Sequence, residues 1–184
     1  MQLFKITENI FLIQEFWSKE RCKEFIDKSE AKGYKDAAID AGMGQRVVKS
    51  VRNNKRVMYT DMELASEIWL GLSPFAPQTI GNSTAIGLNE MFRFYRYKPG
   101  EEFKRHRDQS YMRNSREASY YTFMIYLNQD FEGGETTFSD RTIRPLTGMA
   151  LIFLHSLEHA GSPVKKGTKY VLRTDIMYRL NEQE

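Results

Sequence analysis

The sequence predicts a mainly β (α+β) domain, a β-sandwich or jelly roll with N-terminal helices packed on its sheet, on three observations. Beyond about residue 84 the hydrophobic pattern changes from a helical period to the alternation of strands and keeps it to the end of the chain. Turn signals at Pro99-Gly100, Gly133-Gly134, Thr147-Gly148 and Lys166-Gly167 cut that half into short segments. The 184 residues are 41% hydrophobic and 13% aromatic, enough to bury a sizeable core in one domain and unlike a disordered chain.

One domain is therefore expected over 1–184, with a helical part at about 1–85 and a β core at about 86–180. Residues 10–14 read as a buried strand. Ser18 caps a first helix whose early Glu20 suits the positive end of its dipole, with Cys22, Phe25 and Ile26 on one face and Gly33 as the stop. Asp61 caps a second, which carries Leu64, Ala65, Ile68, Trp69 and Leu72 towards a core and ends before Ser73-Pro74. Residues 74–84 read as a loop. Strands are then expected at about 91–98, 102–107, 119–127, 135–138, 149–154, 159–164 and 169–179, with Gly133 and Gly134 serving a hairpin turn.

The net charge is +3 and the pI about 8.9, a mild excess that falls short of the basic field of a dedicated nucleic-acid binder. Cys22 is the single cysteine, so no internal disulfide forms and a reducing cytoplasm is the simplest setting. Lys5, Glu8 and Glu15 interrupt the apolar start, which fits neither a signal-peptide core nor a membrane span. A soluble, intracellular protein without a membrane partner is expected. Between Gly42 and Val57 the chain carries Arg46, Lys49, Arg52, Lys55 and Arg56 with no acid among them. That run is either a solvated face or an overhang in which Arg52, Asn53 and Arg56 hold an anionic or polar substrate.

Glu102 to Gln109 places an imidazole and a carboxylate two residues apart, His106 and Asp108, at the end of a strand-like run. Side chains of an extended chain alternate faces, so both can point the same way while Arg107 points away. Such a pair also describes an ordinary surface turn or ion pair. As part of a metal site it needs a third ligand, and His155 and His159 are the remaining histidines. Two imidazoles and one carboxylate form a facial triad that suits non-haem Fe(II) and keeps three positions open.

Further pieces accompany the pair. His159 follows His106 by 53 residues, and Lys169 stands ten positions beyond it. Phe92-Arg93-Phe94-Tyr95-Arg96-Tyr97-Lys98-Pro99-Gly100 precedes the first ligand, and Thr122 to Asn128 and Glu132 to Phe138 lie between. From about Asn89 to Arg179, half the chain, this resembles the core of the iron- and 2-oxoglutarate-dependent oxygenases, in the branch similar to the catalytic domains of prolyl 4-hydroxylases. The resemblance implies a double-stranded β-helix. It also implies Fe(II), 2-oxoglutarate and dioxygen, with ascorbate as a candidate reductant. His106, Asp108 and His159 fill the metal and catalytic positions, and Lys169 with Tyr126 the positions that hold the distal carboxylate of 2-oxoglutarate. Lysine offers a point contact where many relatives have the fork of arginine. Alternation puts Arg173 on the face of Lys169, a further cosubstrate candidate beside Tyr97 and Thr122. Each has a plainer reading: Tyr126 as a core aromatic, Thr122 as a strand residue, Arg173 as the partner of Asp175. His155, among Ile152, Phe153 and Leu154, reads as a packed histidine.

The activity implied is hydroxylation of a C–H on a peptidyl proline, an amino acid or a small molecule, with release of succinate and carbon dioxide. Asp108 argues against a halogenase, in which halide replaces that ligand. The basic run and the spacing of Arg173 and Arg179 motivate a nucleic-acid demethylase as the alternative, although Asp175 and Met177 stand where its R-x-N-x-T-x-R motif has Asn and Thr. A cupin-like metal-binding module without turnover is the rival from another class.

Overall fold

The computed structural model describes residues 1–37, 39–40, 45–46, 48 and 50–182, with 39–40 and 45–46 described by their backbone. Arg46 and Lys49 of the basic run therefore lie outside the described side chains. In chain order the elements are β1 (Gln2–Thr7), β2 (Ile10–Gln14), α1 (Lys19–Lys32), β3 (Lys35–Asp36), β4 (Ile39–Asp40), β5 (Gln45–Arg46), β6 (Lys55–Thr60), α2 (Met62–Leu72), β7 (Thr79–Ile80) and β8 (Ser83–Leu88). They continue as β9 (Met91–Tyr97), β10 (Phe103–His106), β11 (Met112–Asn114), β12 (Glu117–Tyr126), β13 (Phe131–Gly133), β14 (Thr136–Phe138), β15 (Thr142–Ile143), β16 (Ala150–Leu154), β17 (His159–Gly161), β18 (Val164–Gly167) and β19 (Lys169–Leu180).

Both helices start as their caps require. The Ser18 side chain accepts from the Arg21 amide at 3.1 Å, and Asp61 Oδ1 accepts from the Leu64 amide at 2.9 Å, each satisfying a donor that the first helical turn leaves open. Neither helix is long and apolar enough to cross a membrane. Glu30 of α1 takes two bonds from Arg96, at 2.9 and 2.7 Å, and one from Tyr170 at 2.6 Å, which fastens the helix to the sheet.

The main sheet runs β1-β2-β16-β12-β19-β9-β6-β3, and facing it is a smaller sheet, β10-β17-β14-β15. This is the jelly roll of a double-stranded β-helix. Alternation sorts the main sheet's side chains onto two buried faces. Phe92, Phe94, Phe123, Ile125, Ile152 and Leu172 pack towards Phe25, Leu64, Ile68 and Leu72 of the helices. Tyr95, Tyr97, Met124, Tyr126, Phe153 and Val171 form the second cluster, between the sheets. The functional side chains share that inner face.

Three differences from expectation have physical causes. The N-terminal part is less helical than expected, because β1 and β2 extend the main sheet at one edge while β6 and β8 join it elsewhere. β6 hides in the basic run: Val57 is buried while Met58 is exposed, a strand alternation masked by flanking cations. The strand expected at 159–164 splits, with β17 in the smaller sheet and β18 paired to β13, because Pro163 between them has no N–H to continue a ladder. Gly133-Gly134 is not a hairpin turn. β13 and β14 belong to different sheets, and both glycines take positive φ, 76° and 68°, to turn the chain from one to the other.

Candidate active site

β10 and β17 pair so that His106 lies directly opposite His159, with ring centroids 4.3 Å apart. Asp108 follows just past the end of β10, and its amide donates to the His155 carbonyl at 3.1 Å. Asp108 Oδ1 is 3.8 Å from His106 Nε2, and Oδ2 is 3.8 Å from His159 Nε2. One ligand atom from each of the three lies within 4.8 Å of the others.

The donors are prepared for a cation. His106 Nδ1 donates to the Lys104 carbonyl at 2.8 Å and His159 Nδ1 to the Leu157 carbonyl at 3.1 Å, which leaves both Nε2 lone pairs free. Burial pushes the His106 pKa down to about 4 and lowers that of His159, so both rings are neutral. Burial works against ionised Asp108, but the charge of Arg173, the two imidazoles and the Thr122 hydroxyl hold its carboxyl well below the usual range. Two neutral imidazoles and a carboxylate on one side of a cavity match the facial triad of non-haem Fe(II).

Thr122 Oγ1 donates to Asp108 Oδ2 at 2.5 Å and accepts from Arg173 Nη2 at 3.2 Å. Arg173 Nη2 is itself 3.0 Å from Asp108 Oδ2 and 3.1 Å from Asp175 Oδ1. The plainer reading of Arg173, as the partner of Asp175, thus describes a real contact that extends to Asp108. His155 is packed as expected, 4% exposed, with Nε2 3.5 Å from Asp175 Oδ1 and no place among the three ligands.

Two recesses meet at the triad. The inner one is lined by Tyr97, Thr122, Met124, Thr136, Gly161 and Lys169, and the outer one by Val51, Arg52, Arg56, Arg93, Arg107 and Tyr111. His106, Asp108, Arg173, Tyr95 and Phe103 border both. Lys169, 3% exposed, begins β19 opposite Tyr97. Its Nζ donates to the Gly134 carbonyl at 2.7 Å and lies 5.1 and 5.5 Å from the ring centroids of Tyr97 and Tyr126. Burial pushes its pKa down to about 7, with Glu135 opposing. Tyr126 is fully buried behind this wall, its hydroxyl 2.7 Å from that of Thr136.

The basic run is not a solvated face where it meets the site. Arg52 is 4% exposed, with its guanidinium carbon 4.2 Å from the ring centroids of both Tyr95 and Phe103. Asn53 is used differently. Its Oδ1 accepts from the Glu102 amide at 2.7 Å and its Nδ2 donates to the Gly100 carbonyl at 3.2 Å, which ties the run to the turn before β10.

Sequence reasoning missed Thr136, Tyr95, Arg93 and the Gly134 carbonyl. Alternation along β9 from Tyr97 would have found Tyr95 and Arg93. No local signal marks Thr136, which enters the site because β14 pairs with β17 at Gly161.

Residues 92–174 match the family model of the 2OG-Fe(II) oxygenase superfamily. Among curated proteins the chain is 27% identical over 139 residues to Probable prolyl 4-hydroxylase 7 of Arabidopsis thaliana, covering 72% of this chain and 42% of that protein. The chain thus spans less than half the length of that relative. Among solved structures it resembles a viral collagen prolyl hydroxylase from Paramecium Bursaria Chlorella virus-1 in complex with 2OG, at 21% identity and a TM-score of 0.65, over 94% of this chain and 97% of that one. It also resembles a Trichoplax adhaerens prolyl hydroxylase in complex with a hypoxia inducible factor peptide, at 18% identity and a TM-score of 0.73, over 92% and 84% of the two chains. These structural likenesses establish the common fold, and the family match spans His106, Asp108, His159 and the buried Lys169. Over residues 92–174, a little under half of the chain, the sequence is thus similar to the 2OG-Fe(II) oxygenase superfamily, and the relatives that it resembles are prolyl hydroxylases by name.

Proposed function

We propose that the protein is an Fe(II)- and 2-oxoglutarate-dependent dioxygenase that hydroxylates a C–H of a peptidyl proline, an amino acid or a related small molecule, releasing succinate and carbon dioxide. The observation that carries this reading is the position of the triad where two recesses meet, one ending in a buried lysine and the other open towards solvent.

A bound ferrous ion would supply the oxidative chemistry with dioxygen and the α-keto acid. His106, Asp108 and His159 are the residues that would hold it. Lys169 offers the distal carboxylate of 2-oxoglutarate a buried donor, where a charged hydrogen bond is strong. The Thr136 hydroxyl, set by Tyr126, is a second donor in the same wall. Arg173 is committed to Asp108 and Asp175, so the anchoring role falls to Lys169. Tyr95 and Phe103 border both recesses, and their rings shield the reacting atoms from water. Proline is the first substrate residue to try, because the relatives reported above are prolyl hydroxylases by name.

The test is succinate formation from 2-oxoglutarate, with Fe(II), in the presence of proline-containing peptides, free amino acids and methylated oligonucleotides. Stimulation by a peptide or an amino acid supports the reading. Stimulation by methylated oligonucleotides alone would replace it with demethylation, and metal binding without succinate would leave a binding module.

A further inference from the structure

Arg52 combines burial, contact with two aromatic rings and a donor left unused among the described residues. It is 4% exposed, its Nε donates to Asn54 Oδ1 at 2.6 Å, and its guanidinium is held between the rings of Tyr95 and Phe103. Yet its buried Nη2 has no hydrogen-bond partner among the described residues. A buried cation left with an open donor is costly unless something else completes it. The other cations nearby are differently placed. Arg173 pairs with Asp108 and Asp175, and Arg93 Nη1 is 3.3 Å from Asp175 Oδ2.

Arg52 borders the outer recess and also reaches the Tyr97 hydroxyl of the inner wall, while Lys169 borders the inner recess alone. Of the two cations, Arg52 is therefore the one that a ligand in the outer recess meets. The outer recess is bordered by Arg52, Arg56, Arg93, Arg107 and Arg173 against two acids, Asp108 and Asp175, and Asp108 is already engaged by Thr122 and Arg173. The resulting field is visible on the side chains inside it. Burial would raise the Tyr95 pKa, but Arg173, Arg52 and Arg93 together bring it down to about 8. Burial and the like charges of Arg52, Arg93 and Arg173, partly offset by Tyr95, lower that of Arg56.

We propose that the substrate enters the outer recess with a carboxylate on the open Nη2 of Arg52, so that this arginine orients the hydroxylated carbon towards the metal. The inference rests on the dioxygenase reading and names the chemistry of its substrate. A carboxylate suits the site because a planar guanidinium matches its oxygens. A phosphodiester backbone does not, because its oxygens line a convex surface and need exposed cations. The carboxylate belongs either to an acidic side chain next to the target residue of a peptide or to the α-carboxylate of a free amino acid.

Matched pairs separate these sources. Binding is measured by calorimetry on the protein loaded anaerobically with Fe(II) and 2-oxoglutarate. The probes are a short blocked peptide containing Asp-Pro against its Asn-Pro counterpart, L-proline against L-prolinamide, and an oligothymidylate. The expected result is a preference for the carboxylate member of one pair, on the order of tenfold to a hundredfold as for a charged hydrogen bond. The peptide pair responds if the source is a side chain, and the proline pair if it is an α-carboxylate. Arg52→Gln is expected to abolish the preference and Arg52→Lys to retain part of it, with 2-oxoglutarate affinity unchanged in both. Equal binding within both pairs, or a preference that survives in Arg52→Gln, overturns the proposal. So does binding of the oligothymidylate in place of both pairs, with affinity falling steeply as salt rises. Succinate formation measured in parallel separates the two levels: succinate without a carboxylate preference overturns this inference alone, and no succinate overturns the dioxygenase reading.

Discussion

The guanidinium of Arg173 touches the carboxylate of Asp108, the proposed metal ligand, at 3.0 Å and the buried carboxylate of Asp175 at 3.1 Å through the same nitrogen. A cation is thus built into the site itself. Removing one member of such a buried group leaves its partners uncompensated and costs about 3–5 kcal/mol. Arg173→Met is expected to lower the thermal midpoint accordingly. Because its charge also repels a bound metal, the variant should gain more thermal stability from added Mn(II) than the wild type does. An unchanged melting temperature would show that Arg173 does not compensate these carboxylates.

Loss of any one ligand should open the triad. His106→Ala, Asp108→Ala and His159→Ala are each expected to abolish Fe(II)-dependent turnover and to weaken metal binding in titrations. His155→Ala keeps metal binding and substantial activity, since that ring faces Asp175 and stands outside the ligand set. Metal affinity lost in His155→Ala and kept in His159→Ala would exchange their roles.

Lys169 gives a pH dependence whose sign follows from its burial. With its pKa brought down to about 7, the amine is largely neutral in mildly alkaline solution, while the distal carboxylate of 2-oxoglutarate requires the ammonium. Binding then takes up a proton, and affinity should fall as pH rises above about 7, by up to about tenfold per unit, until pH passes the higher pKa of the complex. Calorimetry in buffers of different ionisation enthalpy reads the proton directly. Lys169→Ala should raise the KM for 2-oxoglutarate about tenfold to a hundredfold, the worth of a charged hydrogen bond of about 1.5–3 kcal/mol. Lys169→Arg should raise it less.

Gly134 holds that lysine by its carbonyl in a backbone conformation with φ 68°. A Cβ there would lie 3.0 Å from the Phe131 ring and 3.2 Å from Lys169 Cδ. Gly134→Ala is therefore expected to raise the KM for 2-oxoglutarate and lower stability together, while Fe(II) affinity stays near the wild-type value. Unchanged kinetics for 2-oxoglutarate would separate the glycine from the anchoring role.

What the sequence made legible were features written over short distances. The caps Ser18 and Asp61, the strand-like runs of β9, β12, β16 and β19, and the two-residue spacing of His106 and Asp108 are local patterns with local causes. The site's remaining contacts join distant positions: Arg93 meets Asp175 82 residues away, and Arg173 meets Tyr95 78 residues away. Such pairs follow from strand register, which no short window encodes. Composition also misled at Arg52, since a run of cations reads as surface until the aromatic rings that cover it are in place. At Gly133-Gly134 the turn signal was sound, but whether a turn closes a hairpin or carries the chain between sheets depends on the strands that receive it.

The central claim is tested most directly by following succinate and oxygen together in the purified protein supplied with Fe(II) and 2-oxoglutarate, beside Asp108→Ala. The account predicts that succinate forms in step with oxygen consumption when both Fe(II) and 2-oxoglutarate are present, and that the reaction disappears in Asp108→Ala. Succinate formation at the wild-type rate in Asp108→Ala, or its absence in metal-loaded wild type across proline peptides and free amino acids, would contradict it.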